Sequence, residues 1–129
     1  MATPNPTERE LAILRVLWSR KAPMTVREVH AVLSRGKDTA YTTVLKMLTI
    51  MAEKRLVHRD ESERSHTYWP VHDEAEVQAS LLKDLVRRAF SGSALTLMQR
   101  ALDDETASAE DLEAISKLIA QAKSRRRKG

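Results

Sequence analysis

The segment 39–46 combines threonine hydroxyls, a tyrosine ring and a lysine ammonium group within two helical turns. Such groups can donate hydrogen bonds to phosphate oxygens and to base edges. At the exposed start of a helix they would form a surface for nucleic acid, although a helix start rich in threonine caps would use the same residue types. We take as candidate DNA-binding residues Thr39, Ala40, Tyr41, Thr42, Thr43 and Lys46.

Other residue types that carry chemistry are scattered. The four histidines include His58 and His66, on segments expected to pair as strands, but no spacing matches a zinc motif and the chain has no cysteine. The sequence also lacks the nucleophile-elbow, phosphate-loop, dinucleotide and metalloprotease motifs of common enzymes. We expect no metal, no cofactor and no enzymatic activity, with histidines at the surface or facing phosphate.

The length of 129 residues suits one domain, or one small domain with an appendage. No apolar run approaches the roughly 20 residues that span a membrane, and the polar start lacks a signal-peptide segment. We therefore expect a cytoplasmic protein without membrane insertion.

Charge is unevenly distributed along the chain. Residues 1–72 carry 12 Lys and Arg against 8 Asp and Glu, residues 73–122 carry 5 against 10, and residues 123–129 carry 5 basic residues. The basic first half favours a polyanionic partner. We expect the basic tail to be disordered, with nonspecific DNA contact as a further possibility.

Three helices are predicted in the basic half. Capping boxes at Thr7 with Glu10, and at Thr25 with Glu28, start the first two. The third starts near Asp38 or Thr39 and ends near Lys54. Apolar residues at helical spacing give each helix a buried face, formed by Leu11, Leu14, Leu17 and Trp18, then Val26, Val29 and Leu33, then Val44, Leu48 and Met51.

Two short segments after the third helix are rich in strand-forming residues. They cover residues 56–59 and 66–69 and are separated by a polar stretch, which predicts a β-hairpin. Three helices followed by a hairpin is the order of a winged helix-turn-helix, in which the third helix can enter the major groove and the hairpin forms the wing. Arg64 and His66 join the candidate DNA-binding residues as wing residues.

The acidic half is again helical. Apolar stripes run from Val77 to Phe90, from residue 95 to 102 and from residue 112 to 119. Helices with one apolar face each cannot shield a core alone, so we expect a homodimer through this region. The candidate dimerisation residues are Leu81, Leu85, Phe90, Leu97, Leu112, Ile115, Leu118 and Ile119.

The order and identity of these segments resemble the BlaI/MecI family of penicillinase-type transcriptional repressors. The resemblance covers residues 7 to about 120. The segments that carry it are residues 40–48, 51–54, 59–62, 64–66 and 90–93, together with Glu10-Leu11, Leu17-Trp18, residues 26–30, Leu56-Val57 and Tyr68. It implies a dimeric winged-helix protein that represses a promoter until a membrane sensor metalloprotease system causes its cleavage.

The resemblance also implies where the chain would be cleaved, and this sequence differs from the family at several positions. The implied region here is Met98, Gln99, Arg100 and Ala101, where Arg100-Ala101 replaces the Asn-Phe pair of the best-known members. Arg55 and Glu63 stand where the family commonly has glycine, so either position could require positive φ. The copper-responsive branch uses a cysteine site, which a chain without cysteine excludes.

Together these observations predict a mainly α protein with a small β-hairpin. Its parts are a winged-helix DNA-binding domain at 1–72, a helical dimerisation region at 73–122 and the basic tail. The predicted function is a homodimeric repressor that binds a near-palindromic operator in double-stranded DNA. The alternative is a winged-helix module that binds another protein, which would more readily expose an apolar patch than a basic surface.

Overall fold

The computed structural model describes residues 5–103 and 107–128. Within these ranges the chain is mostly helical with a small antiparallel sheet, which confirms the predicted fold class. The elements are α1 (Glu8–Arg20), β1 (Met24–Thr25), α2 (Val26–Leu33), α3 (Tyr41–Glu53), β2 (Val57–Asp60), β3 (Thr67–Pro70), α4 (Glu74–Ala89), α5 (Ala94–Asp103) and α6 (Ala109–Lys128).

The chain forms two compact units, of which the first ends at Lys83. We predicted a boundary after residue 72, but the first unit also includes the first part of α4. Val77 is buried there, and the Ser80 hydroxyl donates to the Asn5 side-chain oxygen at 2.7 Å. These contacts attach the start of α4 to the first unit.

The core of the first unit lies between α1, α2, α3 and the sheet. Both predicted capping boxes are present, at Thr7 with Glu10 and at Thr25 with Glu28. On α1, Ile13 is buried whereas the predicted Leu11 is half-buried. The buried cluster comprises Ile13, Leu14, Leu17, Met24, Val26, Val29, Val44, Leu48, Met51, Leu56, Val57 and Tyr68.

The sheet has three strands in the order β1-β3-β2, all antiparallel. The predicted hairpin is confirmed, with each strand displaced by one residue toward the C-terminus, so that Asp60 pairs with Thr67. Strand β1 escaped sequence analysis because two residues give no alternating pattern. Its pairing with β3 anchors the hairpin beside the start of α2.

The turn between α3 and β2 is a Schellman motif. Arg55 lies in the left-handed region with φ 64°, and its N–H donates to the Ala52 carbonyl. The Leu56 N–H donates to the Met51 carbonyl at 2.8 Å, and both of these side chains are buried. The expected positive φ at Arg55 is confirmed, whereas Glu63 is not among the positive-φ residues of the described chain.

An ion pair between the buried Glu10 and the exposed Lys54 joins α1 to the end of α3. Both carboxylate oxygens of Glu10 lie 2.8 Å from the Lys54 ammonium group. Burial acts to raise the pKa of Glu10, but the hydrogen bonds from Lys54 and the Thr7 backbone outweigh it and hold this pKa below its usual value. Because Glu10 also caps α1, a single side chain fixes the helix start and its position against α3.

The second unit contains the end of α4 together with α5 and α6. No residue of α5 or α6 is buried within the described part of this unit. Our expectation of a disordered basic tail is wrong for residues 123–128, which continue α6 to Lys128, while residue 129 lies outside the described residues. Arginine and lysine favour helix, and their charges are stabilised at a helix C-terminus.

Candidate nucleic-acid interface

The turn before α3 determines where this helix begins. The Nε2 atom of His30 donates to the Thr39 carbonyl at 2.7 Å, and the Ser34 hydroxyl donates to the same oxygen at 3.4 Å. The His30 ring also meets the Tyr41 ring edge to face, with centroids 5.7 Å apart. These contacts hold residue 39 outside the helix, so α3 starts at Tyr41 and Ala40 is its N-cap, two to three residues later than predicted.

One face of α3 is fully buried and the opposite face is free. The side chains of Val44, Leu48 and Met51 are buried in the core, as predicted. At 100° per residue, Thr42 and Lys46 lie on the opposite side of the helix, and both are exposed. Their hydroxyl and ammonium groups therefore form the centre of the exposed face of α3.

A cleft of about 450 Å³ lies between α3, the start of α2 and the wing. We call it the wing cleft. It brings together three predicted DNA-binding residues, Tyr41, Arg64 and His66. It also includes Arg27, which sequence analysis did not select because an arginine next to a buried valine on a short helix gives no distinctive pattern.

A second cleft, of about 400 Å³, lies on the other side of α3 against α1. We call it the α1 cleft. The predicted residues Thr39, Ala40 and Thr43 all line it. Arg9 and Lys37 line it as well, against one acidic residue, Asp38. Sequence analysis missed the two cations because only the fold places the first turn of α1 beside the turn before α3.

The eight predicted DNA-binding residues therefore fall into three groups. Three lie in the wing cleft, three in the α1 cleft, and Thr42 and Lys46 on the exposed face between them. The two clefts also contain basic residues that were not predicted. Arg27 lies in the wing cleft, and Arg9 and Lys37 lie in the α1 cleft. The result is a hydroxyl-rich helix face with positive side chains on both flanks.

The wing turn is shaped by its own polar contacts. The Ser62 backbone N–H donates to the Asp60 carboxylate at 2.9 Å, which lowers the pKa of Asp60 and keeps this carboxylate ionised. Arg59 is paired with Glu61 at 2.8 Å. Arg59 is therefore neutralised locally, whereas Arg64 lines the wing cleft.

The histidines are separated by the strand register. His58 lies opposite Trp69 on the neighbouring strand, and the centroids of their rings are 5.4 Å apart. His66 instead lies in the wing cleft. In the part of the chain that the structure describes, no group of three His, Cys, Asp or Glu residues could hold a metal ion. None of the described helices is long and apolar enough to cross a membrane.

The predicted dimerisation residues are exposed or half-buried in the single chain. Leu85, Leu112, Leu118 and Ile119 are exposed, and Leu118 retains 60% of its accessible surface. The half-buried members are Leu81, Phe90, Leu97 and Ile115. The segment 98–101, which the resemblance implies as the cleavage region, is helical and exposed within α5.

Comparison with known proteins shows similarity to a family of repressors. A model of the penicillinase repressor family matches residues 6–121. The transcriptional regulator BlaI of Mycobacterium tuberculosis is 38% identical over 113 residues, which cover 87% of this chain and 80% of that protein.

Two solved structures of BlaI are similar to part of this chain. The solution structure of the DNA-binding domain of the repressor BlaI is similar with a TM-score of 0.50 and 25% identity, covering 59% of this chain and 93% of that one. The monomeric form of Bacillus licheniformis BlaI in complex with the blaP half-operator matches with the same values. The chain therefore belongs to the penicillinase repressor family, as a transcriptional repressor of the BlaI type with a winged-helix DNA-binding domain.

Proposed function

We propose that two copies of this chain bind one operator together, each placing α3 in the major groove of a half-site. The observation that carries the proposal is the placement of cations on both flanks of α3, with Arg27 and Arg64 in the wing cleft and Arg9 and Lys37 in the α1 cleft. A helix in the major groove has a phosphate strand on each side. The side chains on the flanks then contact phosphates while the face between them meets base edges.

We propose a role for each candidate residue on this basis. Thr42 and Lys46 meet base edges, since they lie on the face opposite the core. Tyr41 and Thr43 lie at the borders of that face, each lining one cleft. Thr39 and Ala40 bring the helix N-terminus to the phosphates, and Arg64 and His66 contact the backbone from the wing.

The dimer is proposed to form through the second unit. The apolar residues of α5 and α6 are exposed or half-buried in the single chain, and a second copy would cover them. A two-fold axis is the commonest arrangement for two identical chains. The relative described as a monomeric form with a half-operator supports one DNA-binding unit on each half-site.

Selection from random DNA tests the proposed function directly. The full-length protein is incubated with random duplexes, bound sequences are enriched, and the best site is footprinted. We expect two inverted half-sites with centres about 10 bp apart or a multiple of that spacing. A single asymmetric site would contradict the dimeric mode, and no enrichment would favour the protein-interaction alternative.

Release of repression is proposed to follow cleavage between residues 97 and 102 by a membrane sensor metalloprotease. These residues form part of α5, whose exposed helix must open locally before a protease can bind an extended chain. Cutting there separates the DNA-binding unit from α6. Two linked DNA-binding units can bind the operator about 10²- to 10⁴-fold more tightly than either unit alone. Cleavage would remove this gain in affinity.

Mass spectrometry of the repressor from induced cells tests this release mechanism. We expect an N-terminal fragment that ends within residues 97–102. The substitution Arg100→Pro, which prevents a regular helix there, would expose the segment and serve as a positive control for local opening. Intact protein in cells with an active promoter would contradict proteolytic release.

A further inference from the structure

The first unit contains a larger cleft that none of the DNA-binding residues lines. Its volume is about 690 Å³, within the range of pockets that hold small organic molecules. It lies between the end of α1, the end of β3 and the start of α4, and it shares no lining residue with the wing cleft or the α1 cleft. We call it the Trp cleft because Trp18 and Trp69 both line it.

Most of the lining of the Trp cleft is apolar. The apolar residues that line it are Leu17, Trp18, Ala22, Pro23, Trp69, Pro70 and Val71. The indole N–H of Trp18 donates to the His72 carbonyl at 3.0 Å, so the polar group of this ring is already satisfied. The ring is thereby fixed in place as an apolar wall, which suits an apolar or aromatic ligand.

The charged rim of the Trp cleft is mainly acidic. Asp73, Glu74 and Glu76 line it at the start of α4, against Lys21 and the His72 ring, which lies 3.2 Å from the Glu76 carboxylate. Asp73 and Glu76 cap α4, since the Glu76 backbone N–H donates to the Asp73 carboxylate at 2.8 Å and the Asp73 backbone N–H donates to the Glu76 carboxylate at 3.5 Å. Glu74 is exposed in the first turn and contributes negative charge without serving in that cap.

We propose that the Trp cleft binds small organic cations with an aromatic or apolar body. The acidic rim attracts the positive charge, and tryptophan faces stabilise a cation electrostatically as well as through apolar contact. The same rim repels anions, which distinguishes this cleft from the basic clefts beside α3. The ligand class is therefore the opposite in charge to the DNA that α3 contacts.

Tryptophan fluorescence can test the proposal on the full-length protein without a label. The chain has two tryptophans, and both line this cleft, so their emission responds to a ligand bound there. Tetraphenylphosphonium is titrated in one series and tetraphenylborate in a parallel one, because these ions have nearly the same shape and opposite charge. We expect a saturable change with the cation and binding of the anion weaker by more than about tenfold.

A matched pair of variants locates the effect. Glu74→Gln should weaken binding of the cation by about two- to fivefold, as expected for an exposed charge interaction. Glu110→Gln, which removes an acidic residue from the first turn of α6, should leave the affinity unchanged. Equal responses to the two ions, a change that never saturates, or equal affinities of the Glu74 variant and wild type would each overturn the proposal.

Discussion

At the residue scale, Glu10 shows how one side chain can have a local and a long-range role. Its carboxylate accepts the Thr7 backbone N–H at 2.8 Å and pairs with Lys54, which lies 44 positions later in the chain. The capping role follows from the spacing of Thr7 and Glu10. The ion pair does not, because nothing in the local sequence of Glu10 indicates which distant lysine the fold brings to it.

Removing the charge of Glu10 should destabilise the protein in a pH-dependent way. Glu10→Gln keeps the size of the side chain but loses the ion pair, so we expect a loss of about 1 kcal/mol in the free energy of unfolding near pH 7. Because folding lowers the pKa of Glu10, the carboxylate stabilises the protein above its unfolded-state pKa, and this contribution is lost as pH falls through the folded-state pKa.

Urea unfolding at a series of pH values measures this effect. The difference between wild type and Glu10→Gln should be largest near neutral pH and should shrink in acid. Glu8→Gln is the matched control, since Glu8 is an exposed acidic residue in the same helical turn. A stability difference that does not change between neutral and acidic pH would rule out the ion pair as its source.

At the element scale, the position of α3 depends on turns more than on its own pattern. The periodicity of Val44, Leu48 and Met51 was enough to predict its buried face. Its start was predicted too early because the hydrogen bond from His30 to the Thr39 carbonyl connects two separate elements. Likewise, Arg9 reaches the flank of α3 only through the packing of α1.

The turn that ends α3 offers a stabilising substitution. Arg55 adopts φ 64°, which glycine accepts at lower cost than arginine, and its Schellman hydrogen bonds do not involve its side chain. Arg55→Gly should therefore raise the free energy of unfolding by about 0.5–1 kcal/mol. Thermal or urea unfolding of the purified protein checks the change.

Arg35→Gly is the control for this substitution. Arg35 also follows a helix in a turn, but it is not among the positive-φ residues of the described chain. Glycine there relieves no strain and adds freedom to the unfolded chain, so stability should fall or stay unchanged. If both glycine variants lost stability equally, strain at Arg55 would not be the explanation.

At the scale of the whole molecule, sequence periodicity predicted the helices of the second unit but not what covers them. The three predicted apolar stripes lie on α4, α5 and α6. The helical end of α6 was not predicted, because a run of basic residues is typical of both a disordered tail and a stabilised helix C-terminus. Assembly is a property of two chains and needs its own measurement.

A charge in the apolar stripe of α6 should prevent dimerisation. Ile115 is half-buried in the single chain, whereas its neighbour Ala114 is exposed. Ile115→Asp should yield monomers, because a charge buried without a partner in the interface costs several kcal/mol. Ala114→Asp should remain dimeric. Light scattering of both variants decides the matter, and a dimeric Ile115→Asp protein would refute the assigned interface.

The central claim is that α3 contacts base edges while the residues on its flanks contact phosphates. Substitutions at these two kinds of position should therefore weaken DNA binding in different ways. Thr42 lies on the exposed face, and Arg27 lies in the wing cleft. A hydrogen bond to a base edge favours the cognate site, whereas a phosphate contact favours all DNA equally.

The most direct test is fluorescence anisotropy of wild type, Thr42→Ala and Arg27→Ala on the selected operator and on a random duplex at several salt concentrations. Thr42→Ala should weaken operator binding about fivefold and leave the random duplex nearly unchanged. Arg27→Ala should weaken both duplexes by a similar factor and reduce the salt slope by about one. Equal losses on both duplexes for Thr42→Ala, or unchanged binding of both for Arg27→Ala, would contradict the account.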